Sequence, residues 1–352
     1  MNSFTDSGKI QEGFFKHTIF PFCGASRTEV SAGPQYGVDV AIINLPNGMD
    51  MALTSDPLSL VPSIGLRESA WLSVHLMAND MATTGVAPQY AQLVLNLPEQ
   101  TTGPQFETYW QYIHSWCKEI NVAITGGHTG HAQGQQSTLA GGGTMIAIAP
   151  ANSFLLSKNA APGDVIIVTE EAAMLSSSVL ALSFPQTVKN NCGLENYHAA
   201  CELFYKTSSL RAGLTAVDSG ADKQVTAMHD VTEGGVLGAV YELVVAAGHG
   251  ALIEMDLLPV GMPQQAICDL FQIDPLYCVG AGSMIITARS DRYQQVVQRL
   301  HASGIKATVA GAITAKEQGI VIRKRGQDTR LHHPGPDPYW TAFFHALKNG
   351  WE

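Results

Sequence analysis

Short apolar runs alternating with longer amphipathic segments predict an α+β protein built of α/β layers in two domains. Three observations carry that expectation. The chain has 352 residues, long for one core, so two domains are the natural division. Hydrophobic residues make up 45% and charged residues only 14%, the balance of a chain that buries much of itself. Strand-length and helix-length patterns then follow one another to the end, which suits neither a helix bundle nor a sandwich.

Residues 1–36, rich in Gly, Ser and Pro, are expected to form a mobile or ligand-ordered lead-in. Apolar runs at 37–45 and 50–56 flank the turn signal Pro46-Asn47-Gly48 and predict a strand pair. Residues 68–84 read as a helix closed by Gly85. A strand at 89–96, a helix at 104–120, a strand at 121–126 and a Gly-rich strand at 138–149 complete a first domain, 1–157. The turn-rich stretch Ser157–Asp164 opens a second, 158–352. Its strands are expected near 165–170, 225–229, 250–255, 283–288, 305–313 and 319–323, and its helices near 172–184, 196–218, 233–247, 263–271 and 291–303. Trp71, Leu72, His75 and Leu76 are expected in core or dimer contacts, and Phe106, Tyr109 and Trp110 in the core.

The formal charge of −10 argues against nucleic acid or an anionic membrane as a partner, and no Lys or Arg run offsets it. A polyanion such as ATP must then arrive with metal cations or land on backbone N–H groups. Six cysteines without a CxxC pair read as reduced thiols. With no secretory pattern at the N-terminus and no run of ~18 apolar residues, the cytoplasm is the expected location.

Four aspartates interrupt apolar sequence: Asp39 in GVDVAII, Asp56 closing ALTSD, Asp80 inside LMANDMA and Asp230 after VTAMH. A buried carboxylate is costly unless it is paired, capped or bound to a cation. Basic partners are few nearby, so shared Mg²⁺, which prefers oxygen ligands beside phosphates, accounts for all four. Each alone could cap a helix or turn, a reading that fits Asp80 least. His229-Asp-Val-Thr-Glu-Gly-Gly235 stands where a strand hands over to an apolar helix, a junction that attracts phosphate. Thr232, Gly234 and Gly235 are candidate contacts there, although a plain helix start would look the same. Thr125-Gly-Gly-His-Thr-Gly130 offers a second cradle, with Gly126, Gly127 and Thr129 as candidates. His128 or His229 would contact the acceptor. His128 and His131 lack the further ligands of a zinc set. P-loop, dinucleotide and nucleophile-elbow patterns are missing.

These pieces, in this order, resemble the AIR synthase-like superfamily, which includes aminoimidazole ribonucleotide synthase, HypE, thiamine-phosphate kinase and selenophosphate synthetase. Gly37-Val-Asp-Val-Ala41 is similar to its GDDAA segment, Thr54-Ser-Asp56 to its T-T-D, and Asn79-Asp80 to its V-N-D helix. His229–Gly235 resembles H-D-P-T-x-G-G, and Asp274-Pro-Leu-Tyr277 a HypE segment. The resemblance implies a PurM-like two-domain fold whose N-terminal domain forms a β-barrel across a homodimer. It also implies ATP and Mg²⁺ in a cleft between domains and subunits, with Asp39, Asp56, Asp80 and Asp230 at the metal and Asn79 and Gly126–Thr129 at the phosphates. Departures separate the chain from individual members. Gly127-His128-Thr129 replaces an acidic motif, Pro57 follows Asp56 where AIR synthase has lysine, and Ala281 stands where HypE is acidic. No cysteine follows Cys278, which disfavours HypE's carbamoyl-to-cyanide chemistry. The expected activity is ATP-dependent activation of an amide-like or other oxygen of a small molecule. The alternatives are a non-catalytic nucleotide-binding or assembly protein and a small-molecule kinase.

Overall fold

The computed structural model describes residues 9–10, 12–133, 140–217, 223–333 and 335–352. The first sheet holds β1 (Val30–Ala32), β2 (Ala41–Leu45), β3 (Met49–Pro57), β4 (Tyr90–Pro98), β5 (Ala123–Ala132) and β6 (Ala140–Pro150). Their order is β1-β2-β3-β6-β4-β5, antiparallel throughout except for β4 with β5. Before it, α1 (Glu12–Phe14) continues as irregular helical turns to Phe22. Two helices, α2 (Leu66–Ala82) and α3 (Gly103–Glu119), follow β3 and β4. Thr102 and Gln105 start α3 with a reciprocal capping box.

The second domain runs β7 (Val165–Thr169), α4 (Met174–Ser183), α5 (Pro185–Leu203), α6 (Leu210–Ala216), β8 (Val225–Asp230) and α7 (Gly235–Ala247). It continues with β9 (Gly250–Glu254), α8 (Met262–Phe271), β10 (Met284–Ala288), α9 (Tyr293–Ala302), β11 (Ala307–Thr314), β12 (Ile320–Lys324), β13 (Gln327–Arg330) and α10 (Pro338–Lys348). Its sheet order is β13-β12-β9-β11-β7-β10-β8. The two domains share a core: Val74, Met77 and Met81 of α2 belong to one buried cluster with Leu93 and Met145 of the first sheet and Met228 and Ile286 of the second.

Most expected strands and helices are present. Residues 1–8 and 11 of the lead-in, 138–139 of the Gly-rich strand and 218 of the helix expected over 196–218 lie outside the described residues. Four elements were not expected: α1, β1, β13 and α10. The helix expected over 196–218 is instead broken. Pro185 begins α5 early, Gly193 kinks it at φ +85°, and the chain leaves helical geometry at 207–209. The cause lies across the domain boundary. Asn79 of α2 donates from Nδ2 to the Thr207 carbonyl (3.0 Å) and accepts from the Ser209 N–H (2.7 Å). Trp71 donates to Thr207 Oγ1 (3.1 Å), and His75 Nδ1 meets Ser208 Oγ (2.9 Å). Positions 71, 75 and 79 share one helix face, and that face grips the 207–209 turn.

One face of the first sheet packs on α2. The other keeps Ile43, Met51, Leu53, Tyr90, Val94 and Ile146 partly or fully exposed, in rows set by the strand register.

Candidate functional site

The four aspartates come from four elements and converge. Asp39 precedes β2, Asp56 is the penultimate residue of β3, Asp80 sits in the last turn of α2, and Asp230 ends β8. Oxygen atoms of Asp39 and Asp230 and a ring nitrogen of His229 lie within 4.8 Å of one another. Thr54 donates from Oγ1 to Asp80 Oδ2 at 2.7 Å. Burial, then the charges of Asp230, Asp56 and Asp39, hold the Asp80 carboxyl well above the usual range. Burial, then Asp39, pushes Asp230 up to about 7 against the pull of His229 and Lys9. Burial raises Asp56 to about 6, with Glu233 and Asp39 adding to it and Lys9 opposing. Asp230 Oδ2 is buried without a hydrogen-bond partner.

Sequence reasoning named His229 beside this cluster but missed Lys9, Tyr36 and Glu242. His229 is buried, with Nδ1 2.8 Å from Asp39 Oδ2 and Nε2 3.1 Å from Glu242 Oε2. Burial opposes its protonation, yet Asp39 and Glu242 prevail and raise the ring to about 10. Both ring nitrogens thus face carboxylates, and the ring bridges Asp39 and Glu242. Lys9 extends Nζ to Glu242 Oε2 (2.9 Å) and donates its backbone N–H to Glu233 Oε2. Tyr36 donates to Glu242 Oε1 (3.3 Å). Burial would raise the Glu242 carboxyl, but Lys9 and His229 bring it down to about 2. Glu242 carried the same signal as the four aspartates, an acid inside the apolar run GVLGAVYELVV. Lys9 gave none, because its partners lie more than two hundred positions away.

The other candidates are placed elsewhere. The buried amide of Asn79 is engaged by the 207–209 turn. The stretch Gly126–Thr129 is not a loop but part of edge strand β5, and Gly127 is required there because a Cβ would lie 1.8 Å from the Leu93 carbonyl oxygen. Asp56, Gly143, Leu93 and Gly127 form one row across the sheet, three strand spacings or roughly 14 Å from end to end. His128 pairs with Val94 and shares its open face, opposite the face of Asp56. In one chain it lies outside the acidic cluster. Gly234 and Gly235 form no open phosphate cradle either. The Gly234 N–H donates to Asp337 Oδ2 at 2.7 Å, and the Gly235 N–H to the Thr232 carbonyl at 3.2 Å. Thr232 thus serves through its own backbone, and Gly235 (φ +65°) lets the loop pass where a Cβ would meet the Leu276 carbonyl oxygen at 2.5 Å.

An acidic cluster fed by both domains invites comparison with known proteins. Residues 37–149 match the N-terminal domain, and residues 161–324 the C-terminal domain, of AIR synthase related protein. The chain is an AIR synthase-related protein. The carbamoyl dehydratase HypE of Azotobacter vinelandii is 24% identical to this AIR synthase-related protein over 257 residues, 71% of each chain. The selenide, water dikinase of Methanococcus maripaludis is 25% identical over 313 residues, 84% of this chain and 88% of that one. Among solved structures, hydrogenase maturation protein HypE in complex with ATP aligns at a TM-score of 0.66 and 19% identity, covering 84% of this chain and 89% of that one. That likeness establishes the PurM-like fold. Lys9 and Asp337 both lie outside the two matched segments. Among the described residues, no helix is long and apolar enough to cross a membrane.

Proposed function

We propose that this AIR synthase-related protein binds Mg²⁺ and ATP at Asp39, Asp56, Asp80 and Asp230 and activates an oxygen of a small acceptor molecule by phosphoryl transfer. The observation that carries the reading is the mutual electrostatic influence of the four aspartates, with Asp39 and Asp230 close enough to share an ion and Asp230 Oδ2 unpartnered. Oxygen-only donors fit Mg²⁺. With Glu233 and Glu242 the site holds six carboxyl groups against two cations, Lys9 and His229. Divalent cations would balance that excess. Mg²⁺-ATP, when bound, supplies the phosphoryl group and neutralises its charge.

The chain's own side chains do the positioning. Thr54 orients Asp80, and the His229 imidazolium fixes Asp39 from one side while Glu242 holds the ring from the other. Lys9 brings the N-terminal segment onto Glu233 and Glu242, beside the cluster. The names of the relatives support ATP-dependent chemistry on an oxygen or selenium acceptor.

We also propose a homodimer formed through the open face of the first sheet. Tyr90 and Val94 are about 40% exposed there, and β5 leaves an unpaired edge of the kind that recruits another strand. Such a pairing places His128 and Gly126–Thr129 at the subunit boundary. Asp80→Ala is expected to abolish Mg²⁺-dependent ADP formation from ATP. Unchanged turnover would remove Asp80 from the mechanism.

A further inference from the structure

We propose that Asp337 is a built-in anion that closes the 232–235 loop to phosphate, so that the acceptor is not anchored at that loop by a phosphate group. The acceptor clause rests on the function proposed above; the occupied anion seat stands without it.

Asp337 Oδ2 accepts from the Gly234 N–H (2.7 Å) and Oδ1 from the Tyr339 N–H (2.8 Å). The Val279 N–H adds a weaker electrostatic pull on the carboxylate. Backbone amides of the 232–235 loop and of the α10 start therefore bond one carboxylate, and among the described residues no cation is a partner. This is how a protein holds a bound anion. Asp337 is only 3% exposed. Burial raises its carboxyl to about 6, with the three N–H groups opposing.

The segment carrying Asp337 is part of the packed structure rather than a loose tail. Tyr339, Phe343 and Ala346 of α10 are buried in the cluster that includes Phe184, Phe204 and Phe271. Trp340 donates from Nε1 to Glu233 Oε1 at 3.1 Å, and Glu233 Oε2 receives the Lys9 N–H. Segments from both sides of the two family domains thus meet on one loop residue. The thirteen-residue helix α7 behind the loop aims its positive end at the seat. A phosphate could enter only by expelling a buried carboxylate of the same sign. An acceptor bound beside the acidic cluster is accordingly not held by a phosphate group at this loop.

Asp337→Ser separates this role from simple capping. Serine still caps α10 through the Tyr339 N–H, but it leaves the Gly234 amide unfilled. Melting temperatures are compared in formate, inorganic phosphate and chloride at equal ionic strength. The expected result is a lower melting temperature for the variant, of which formate or phosphate restores roughly 2–4 °C while the wild type does not respond. Formate alone restoring it would mean a seat of carboxylate size; phosphate restoring it would mean a seat large enough for the group now excluded. Equal responses in both proteins, or none in the variant, would overturn the proposal. Should the serine variant fail to fold, hydrogen exchange in the wild type decides. Amide 234 is expected to be equally slow with and without phosphate, and protection that appears only with phosphate overturns the idea. Adding Asp80→Ala to the serine variant must leave its anion response intact, which keeps failure of the ATP site distinct from failure of this one.

Discussion

Replacing Asp230 by Asn should make the metal-free protein more stable relative to wild type as pH rises, even as it destroys the cation site. The magnitude follows from the raised carboxyl. An unfolded aspartate is ionised above its ordinary value near 4, whereas folded Asp230 keeps its proton until about 7. Between those values the folded state binds more protons, so wild-type stability falls with rising pH at about 1.4 kcal/mol per unit. From pH 5 to pH 8 the loss is roughly 3 kcal/mol, or about 4 °C in a chain of this length. His229, raised to about 10, also loses its stabilising contribution above its ordinary value, but it does so in both proteins. Asparagine cannot ionise, so the variant lacks the Asp230 component. Thermal melts in EDTA across pH 5 to 8 measure the difference. Its slope is the test, because the offset includes whatever the asparagine amide gains or loses locally. A variant–wild-type difference that stays flat or shrinks with pH would refute the electrostatic picture of the cluster.

Asn79→Ala removes two buried hydrogen bonds to the 207–209 turn and should cost about 2–3 kcal/mol, seen as a lower melting temperature and faster proteolysis near residues 204–210. Unchanged values would show that the turn holds itself. Val94→Glu places a charge on the open sheet face and should convert a dimer to a monomer in light scattering behind size exclusion. A monomeric wild type at micromolar concentration would contradict the proposed pairing.

Much of the acidic site was legible because a carboxylate within apolar sequence needs a reason to be there. Asp39, Asp56, Asp80 and Asp230 all carried that signal, and the structure brings them together. Lys9 was not legible, since it acts through partners fixed only by the tertiary fold. Asn79 and Gly234 lay in recognisable motifs, yet their polar groups are taken by the 207–209 turn and by Asp337. A motif shows which groups are offered, not which are already satisfied. His128 was misplaced because a glycine-rich stretch reads as a loop, whereas pairing with β4 makes it an edge strand. The break after α5 likewise depends on α2 of the other domain, which no local pattern around residues 196–218 reveals.

The central claim is that four distant aspartates form one cation-dependent nucleotide site. Calorimetric titration with ATP near pH 6.5, with and without Mg²⁺ and in buffers of different ionisation heat, tests it most directly. Binding should require Mg²⁺ and release protons, because Asp230, raised to about 7, keeps its proton until a cation arrives. Equal ATP binding in EDTA, or Mg²⁺-dependent binding without proton release, would contradict it.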